Sequence, residues 1–232
     1  MAVLEYLNGL DTQLFLTLNA SHNQFWDYVM SAFTRKETWL PLYLCLIYVV
    51  SRRYGRKAII IVPLLILSVI ICDQFSNIIK DLTERLRPVH EPALAGMVHN
   101  VMKKGGQFGF FSAHAANAFS MALFSSLLFK NSVYRFFIFV WAIVIVYSRV
   151  YLGVHYPGDL LVGSLIGLFI GWGAYRLSIA LESRFMNSGT KIATTKQVTS
   201  DGALLTGIGL TVAVTVILVV WKLQHYNMLI AY

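Results

Sequence analysis

Long apolar runs separated by short polar segments dominate this chain. Runs at 39–50, 58–79, 113–129, 134–149, 158–180 and 203–222 have the length and continuity of membrane-crossing helices, the first being short and carrying Pro41. Upstream of them the pattern changes. Leu4, Leu7, Leu14 and Leu18, and then Trp26, Val29, Met30 and Phe33, recur at near-helical spacing between polar residues. This predicts two amphipathic helices lying on the membrane surface. The expected organisation is an interfacial segment over 1–37 and a membrane domain over 38–232. The fold class is all-α, a bundle of about six transmembrane helices. Two polar stretches interrupt the apolar pattern at length: 80–111, which contains glycines, and 186–202, which reads as a flexible loop.

Composition agrees with lipid as the main solvent. Of 232 residues 57% are hydrophobic and 13% charged, too few charges to cover an ordinary soluble domain. The net charge of +8 sits in short loops rather than in a basic and aromatic patch, which excludes a nucleic-acid module. With six alternating spans, Arg52, Arg53, Arg56, Lys57, Lys130, Arg135, Arg176, Arg184, Lys191 and Lys196 share one face. The positive-inside rule places that face in the cytoplasm, and puts the 80–111 segment and His155 on the outer side. The first residues lack a basic n-region and carry Glu5 and Asp11, unlike a cleavable signal peptide. Cys45 and Cys72 lie in apolar runs and read as buried, unpaired thiols.

Polar groups beside membrane spans are costly and need a reason. Three clusters stand out, all at the outer face. In the first, Lys80 and Arg87 are seven apart, on one helical face with Asp73 and Asn77 if the helix continues; Arg87-Pro88 ends that stripe. Two cations aimed at one place suit phosphate, and flanking interfacial charges are the alternative. The second cluster is Ser112, Ala113 and His114 at the start of an apolar run. There unpaired amides, a hydroxyl and an imidazole could meet an anion, or simply cap a helix. The third is Ser148-Arg149 followed by His155 and Asp159. Pro157 suits a first helical turn, and a carboxylate four residues after a histidine can hold one ring nitrogen and leave the other free. His90, His99 and Lys103-Lys104 read as loop groups facing water or headgroups, and Glu84-Arg85 as a salt-linked turn.

Taken together, these segments resemble the signature of the type 2 phosphatidic acid phosphatase superfamily. That pattern is Lys-x6-Arg-Pro, then Pro-Ser-Gly-His, then Ser-Arg-x5-His-x3-Asp. Lys80, Arg87-Pro88, Ser148-Arg149, His155 and Asp159 match it, whereas the middle motif reads Phe111-Ser112-Ala113-His114, with Phe for Pro and Ala for Gly. The likeness covers about residues 58–182. It implies that His155 attacks phosphorus and that Asp159 orients it. His114 then protonates the leaving oxygen. Lys80, Arg87, Ser112, Ala113 and Arg149 hold the phosphoryl oxygens. No carboxylate cluster has metal-ligand spacing, so a metal-independent phosphatase without cofactor is expected, and a site facing away from the cytoplasm suits a bacterial envelope lipid. Undecaprenyl diphosphate and lipid A lead, ahead of phosphatidylglycerophosphate or phosphatidic acid. A phosphotransferase using the same residues, and a lipid-binding or transport protein with a degenerate site, are the other readings. Membrane lipids are the expected partners, with no nucleic acid and no obligate protein partner.

Overall fold

The computed structural model describes residues 2–102, 105–186 and 195–226. Among the described residues eight α-helices follow one another: α1 Ala2–Asn19, α2 Gln24–Phe33, α3 Leu40–Tyr54, α4 Ala58–Thr83, α5 Ala113–Phe129, α6 Ser132–Tyr151, α7 Pro157–Phe185 and α8 Thr195–His225. Among the described residues there is no strand, only an isolated bridge between Leu86 and Phe108. The six expected spans correspond to α3–α8. Stretches at 36–83, which holds both α3 and α4, 132–151, 157–185 and 199–225 are long and apolar enough to cross a membrane, and α5 is a shorter apolar helix.

Sequence explains most boundaries. Pro41 falls in the first turn of α3, where a missing N–H costs nothing, so the helix runs past it to Tyr54, four residues beyond the expected end. Asn131 caps α6 by accepting from the Tyr134 amide at 2.8 Å. Pro157 opens α7 as its spacing suggests. Two expectations change. Helix α4 stops at Thr83, where Glu84 turns into the left-handed region (φ 48°), so Lys80 and Arg87 do not share a continuous helical face. Residues 195–202, expected in a loop, form the first turns of α8; 187–194 lie outside the described residues.

The centre of the bundle is the α5–α7 contact, and glycine makes it possible. Gly163, Gly167 and Gly171 form a stripe along α7 against the α5 backbone. A Cβ at Gly163 would stand 2.6 Å from the Ser112 carbonyl oxygen, one at Gly171 2.5 Å from that of Ser120, and one at Gly167 closer still to Ala116. Small residues at every fourth position let two membrane helices touch backbone to backbone, so dispersion replaces the missing hydrophobic effect. The other side of α7 exposes Leu161, Leu165, Phe169 and Trp172, as a lipid-facing stripe must. At one end of the bundle Arg52 and Arg53 converge on buried Asp201 (3.6 and 3.7 Å) and Lys57 meets Glu182 at 3.3 Å. Cys45 and Cys72 are free and buried. At the other end α1 and α2 lie beside the mouth of the bundle. Helix α1 buries Phe15 and Asn19 and leaves Val3, Tyr6, Leu7, Leu10 and Leu14 exposed.

Candidate active site

The end of the bundle opposite Asp201 collects the C-termini of α4 and α6 and the N-termini of α5 and α7. Lys80, Ala113, His114, Arg149 and His155 are therefore carried there on four elements, and all of them line one cavity of about 860 Å³. Arg87 joins them from the loop. The Leu86–Phe108 bridge, the Arg87 amide donating to the Gln107 carbonyl (3.0 Å) and the Gly109 amide donating to that of Arg85 (2.8 Å) fold the 84–111 segment back on itself. Gly109 packs closely here: a Cβ there would lie 3.1 Å from Asp159 Oδ2 and 3.2 Å from Arg87 Cγ, and those side chains would have to shift by a few tenths of an ångström. Arg87 Nε then donates to the Phe108 carbonyl at 3.1 Å, which fixes the guanidinium.

His155 is 1% exposed. Its Nδ1 faces Asp159 Oδ2 at 3.4 Å, and Nε2 faces Arg87 Nη1 at 3.5 Å. Asp159 therefore addresses one ring nitrogen and leaves the other toward the cations, as the four-residue spacing suggests. Asp159 is itself fully buried and accepts from the Tyr156 amide at 3.0 Å. Burial pushes the His155 pKa well below its ordinary value, and the positive charges of Arg87, Arg149 and Lys80 push the same way. The imidazole is thus neutral at neutral pH, the form in which a ring nitrogen carries a lone pair.

Arg149 is buried and donates from Nη1 to Thr34 Oγ1 at 2.6 Å, while its Nε has no protein partner. Ser112 and Asp159 stand behind the cavity wall. The Ser112 amide donates to the Asp159 carbonyl at 3.1 Å, while its hydroxyl is buried and unpartnered. The first amides of α5 point outward at Ala113 and His114, as at any helix N-terminus. Phe111, standing where the family pattern has proline, is fully buried against Cys72 and Ala116, and its ring meets that of Phe75 edge-on at 5.6 Å. Its backbone carbonyl accepts from Ser76 at 2.8 Å, a bond any residue there could make, while the buried ring is what the substitution adds.

Below the polar wall the cavity is apolar, descending between α3, α4, α5 and α6 past Tyr43, Leu46, Leu65, Val69, Met121 and Ile145. Asp73 lies on its side and accepts from Asn117 at 2.8 Å. Among the described residues no three His, Cys, Asp or Glu side chains gather as metal ligands would.

Three residues carry contacts that sequence reasoning did not assign. Arg85 is not a local turn partner of Glu84; it forks to Asp159 Oδ1 and Asp11 Oδ2, each at 2.7 Å. Thr34 holds Arg149. His99 is no solvated loop residue; it meets Asp27 at 2.8 Å and stacks on His22 with ring centroids 3.6 Å apart. Each pairing spans many residues and has no local signature. His90 remains in the loop, with Nε2 3.4 Å from the Gly105 carbonyl. Lys103 and Lys104 lie outside the described residues.

A helical membrane bundle with histidines, arginines and a lysine around the head of an apolar slot is the frame of an integral-membrane phosphatase. The chain belongs to the PAP2 superfamily, whose family model matches residues 58–182. It is 41% identical over 189 residues to a lipid A 4'-phosphatase of Bacteroides thetaiotaomicron, spanning 80% of this chain and 84% of that one. It is 26% identical over 180 residues to an undecaprenyl-diphosphatase of Sulfolobus acidocaldarius, spanning 75% and 80%. The fold matches the crystal structure of a transmembrane PAP2-type phosphatidylglycerolphosphate phosphatase from Bacillus subtilis. There the TM-score is 0.59 at 19% identity, over 79% of this chain and 89% of that chain.

Proposed function

We infer that this membrane phosphatase removes a phosphomonoester group from a lipid A-type glycolipid on the outer face of the cytoplasmic membrane. The reaction passes through a phosphohistidine at His155. The observation that carries the reading is one continuous cavity joining the cationic wall around His155 to an apolar limb inside the bundle. A phosphate head and an acyl tail fit it together. The 41% relative named for lipid A, against 26% for the undecaprenyl-diphosphatase, supports the glycolipid over the polyprenyl diphosphate.

The roles follow from position. Lys80, Arg87, Arg149 and the α5 amides at Ala113 and His114 hold three phosphoryl oxygens, and the Ser112 hydroxyl is free to turn toward them. Fixed charges supply most of what phosphoryl transfer needs. His155 Nε2 attacks phosphorus, and the bond to the lipid oxygen breaks as His114 protonates that oxygen. Asp159 balances the charge on the phosphorylated ring. Water, deprotonated by His114, then attacks phosphorus and releases inorganic phosphate and neutral His155.

The test is phosphate release by purified protein from separate vesicles of lipid A, undecaprenyl diphosphate, phosphatidylglycerophosphate and phosphatidic acid, with EDTA present. Lipid A is expected to turn over fastest, label from isotopic water to enter the phosphate, and His155→Ala to release none. An active His155→Ala protein would overturn the mechanism, and preference for another lipid would overturn the substrate.

A further inference from the structure

Asp159 has a second side-chain partner besides His155, and that partner is anchored outside the membrane bundle. Arg85 Nη1 donates to Asp159 Oδ1 at 2.7 Å, and Arg85 Nη2 donates to Asp11 Oδ2 at 2.7 Å. Asp11 belongs to α1, 74 residues away. Its other oxygen, Oδ1, accepts from the Gly158 amide at 2.7 Å, in the first turn of α7 and next to Asp159. A Cβ at Gly158 would stand 2.7 Å from Asp11 Oδ2, so a side chain there would displace that carboxylate. The Arg85 guanidinium also lies 4.4 Å over the Tyr156 ring. One planar fork is thus held on two carboxylates and one aromatic face, a geometry that lysine cannot reproduce.

We propose that Arg85 is a positioning residue for the Asp159–His155 pair and that Asp11 makes the N-terminal helix a working part of the active site. Asp159 Oδ1 is occupied by Arg85 and Oδ2 by His155 and the Tyr156 amide, so the carboxylate has no rotational freedom. Neither Arg85 nor Asp11 lines the cavity, so neither touches the phosphate. The groups facing Asp159 are Arg85 and Arg87 from the loop, Lys80 from α4, Asp11 from α1, and His155 and Tyr156 beside it. Arg85 is the cation in direct contact with it. Without that cation the Asp159–His155 pair takes up a proton more readily, and the protonated pair cannot support attack. Asp11 keeps the fork oriented. Helix α1 exposes Val3, Tyr6, Leu7, Leu10 and Leu14 along one side, so the same helix that would rest on lipid also bears on the catalytic carboxylate.

This inference rests on the His155 reading, and the experiment separates the two. Full-length protein in vesicles is compared as wild type, Arg85→Gln, Arg85→Lys, Asp11→Asn and His155→Ala, with helix content and elution volume as folding controls. Arg85→Gln is expected to lower kcat about 10- to 100-fold with KM little changed. The acid limb of its rate profile should move up by about one pH unit. Arg85→Lys is expected to restore the position of that limb while recovering only part of kcat, and Asp11→Asn to lower kcat with the same KM. If Arg85→Gln does not fold, wild-type kcat in both Arg85→Lys and Asp11→Asn overturns the proposal. A folded Arg85→Gln protein with an unmoved acid limb, or a loss confined to KM, also overturns it. Activity in His155→Ala would instead sink the underlying mechanism.

Discussion

Two substitutions on one helix should move stability in opposite directions. Alanine at Gly167 would place its Cβ closer to the Ala116 carbonyl, carbon and Cα than any real Cβ sits, whereas alanine at Gly173, less than two turns away, meets nothing within 4 Å. Both changes gain roughly 1 kcal/mol of helix propensity. At Gly173 nothing opposes that gain. At Gly167 the obstacle is backbone, which cannot swing aside as a side chain can, so α5 and α7 must separate. Overpacking costs about 1–3 kcal/mol, and a rigid obstacle argues for the upper end, leaving a net loss of about 1–2 kcal/mol. For a chain of this size each kcal/mol moves Tm by roughly 2–4 °C. Thermal unfolding in one detergent should show Gly167→Ala lower and Gly173→Ala level or higher. The functional consequence follows from the Ser112–Asp159 backbone bond at 3.1 Å, which ties the two helix N-termini at the site. Separating the helices loosens His114 against His155, with an expected loss in kcat/KM of about 10-fold. A Gly167→Ala protein as stable and as active as Gly173→Ala would refute the close α5–α7 approach.

Acidity gives a second test. Because burial and three neighbouring cations depress the His155 pKa, the acid limb of kcat/KM is expected below the ordinary histidine value of about 6.5. The linkage has the same sign. Below that value an unfolded chain binds a proton that the folded one refuses, so His155 makes stability fall as pH drops from about 6.5 toward its folded pKa. Denaturant unfolding across that window measures it. Thr34→Val offers a third. It removes the acceptor 2.6 Å from buried Arg149, and a lost charge-assisted hydrogen bond of about 1.5–3 kcal/mol predicts a kcat/KM lower by about 10- to 100-fold. Wild-type kinetics in a folded Thr34→Val protein would mean that Arg149 needs no such support.

The spans and the motif residues were legible because each is written locally. Apolar run length marks α3–α8, and Pro157 together with the His155–Asp159 spacing marks the start of α7. Convergence of Lys80, His114, Arg149 and His155 follows from alternating helices that put four termini at one end. The seven-residue spacing of Lys80 and Arg87 suggests a helical stripe ending at Pro88, but the left-handed turn at Glu84 ends the helix earlier. Arg85, Asp11 and Thr34 were not legible as site residues. Their partners lie 74 to 147 positions away, and only the packed bundle brings them together. Phe111 departs from the middle motif's proline, and its ring is fully buried beside the site, a packing role that the motif alone does not show.

The cavity's size bears on how such an enzyme meets its substrate. At about 860 Å³ it is near the top of the range of about 300–1,000 Å³ for sites that enclose one small ligand. A multiply acylated glycolipid cannot be swallowed whole by it. For the glycolipid proposed above, some chains must stay among neighbouring lipids while the phosphate is cut, so that substrate is never dissolved in water. The concentration that governs its rate is a mole fraction in the bilayer. Diluting the substrate with inert lipid at constant bulk amount should then slow turnover, whereas adding water should not.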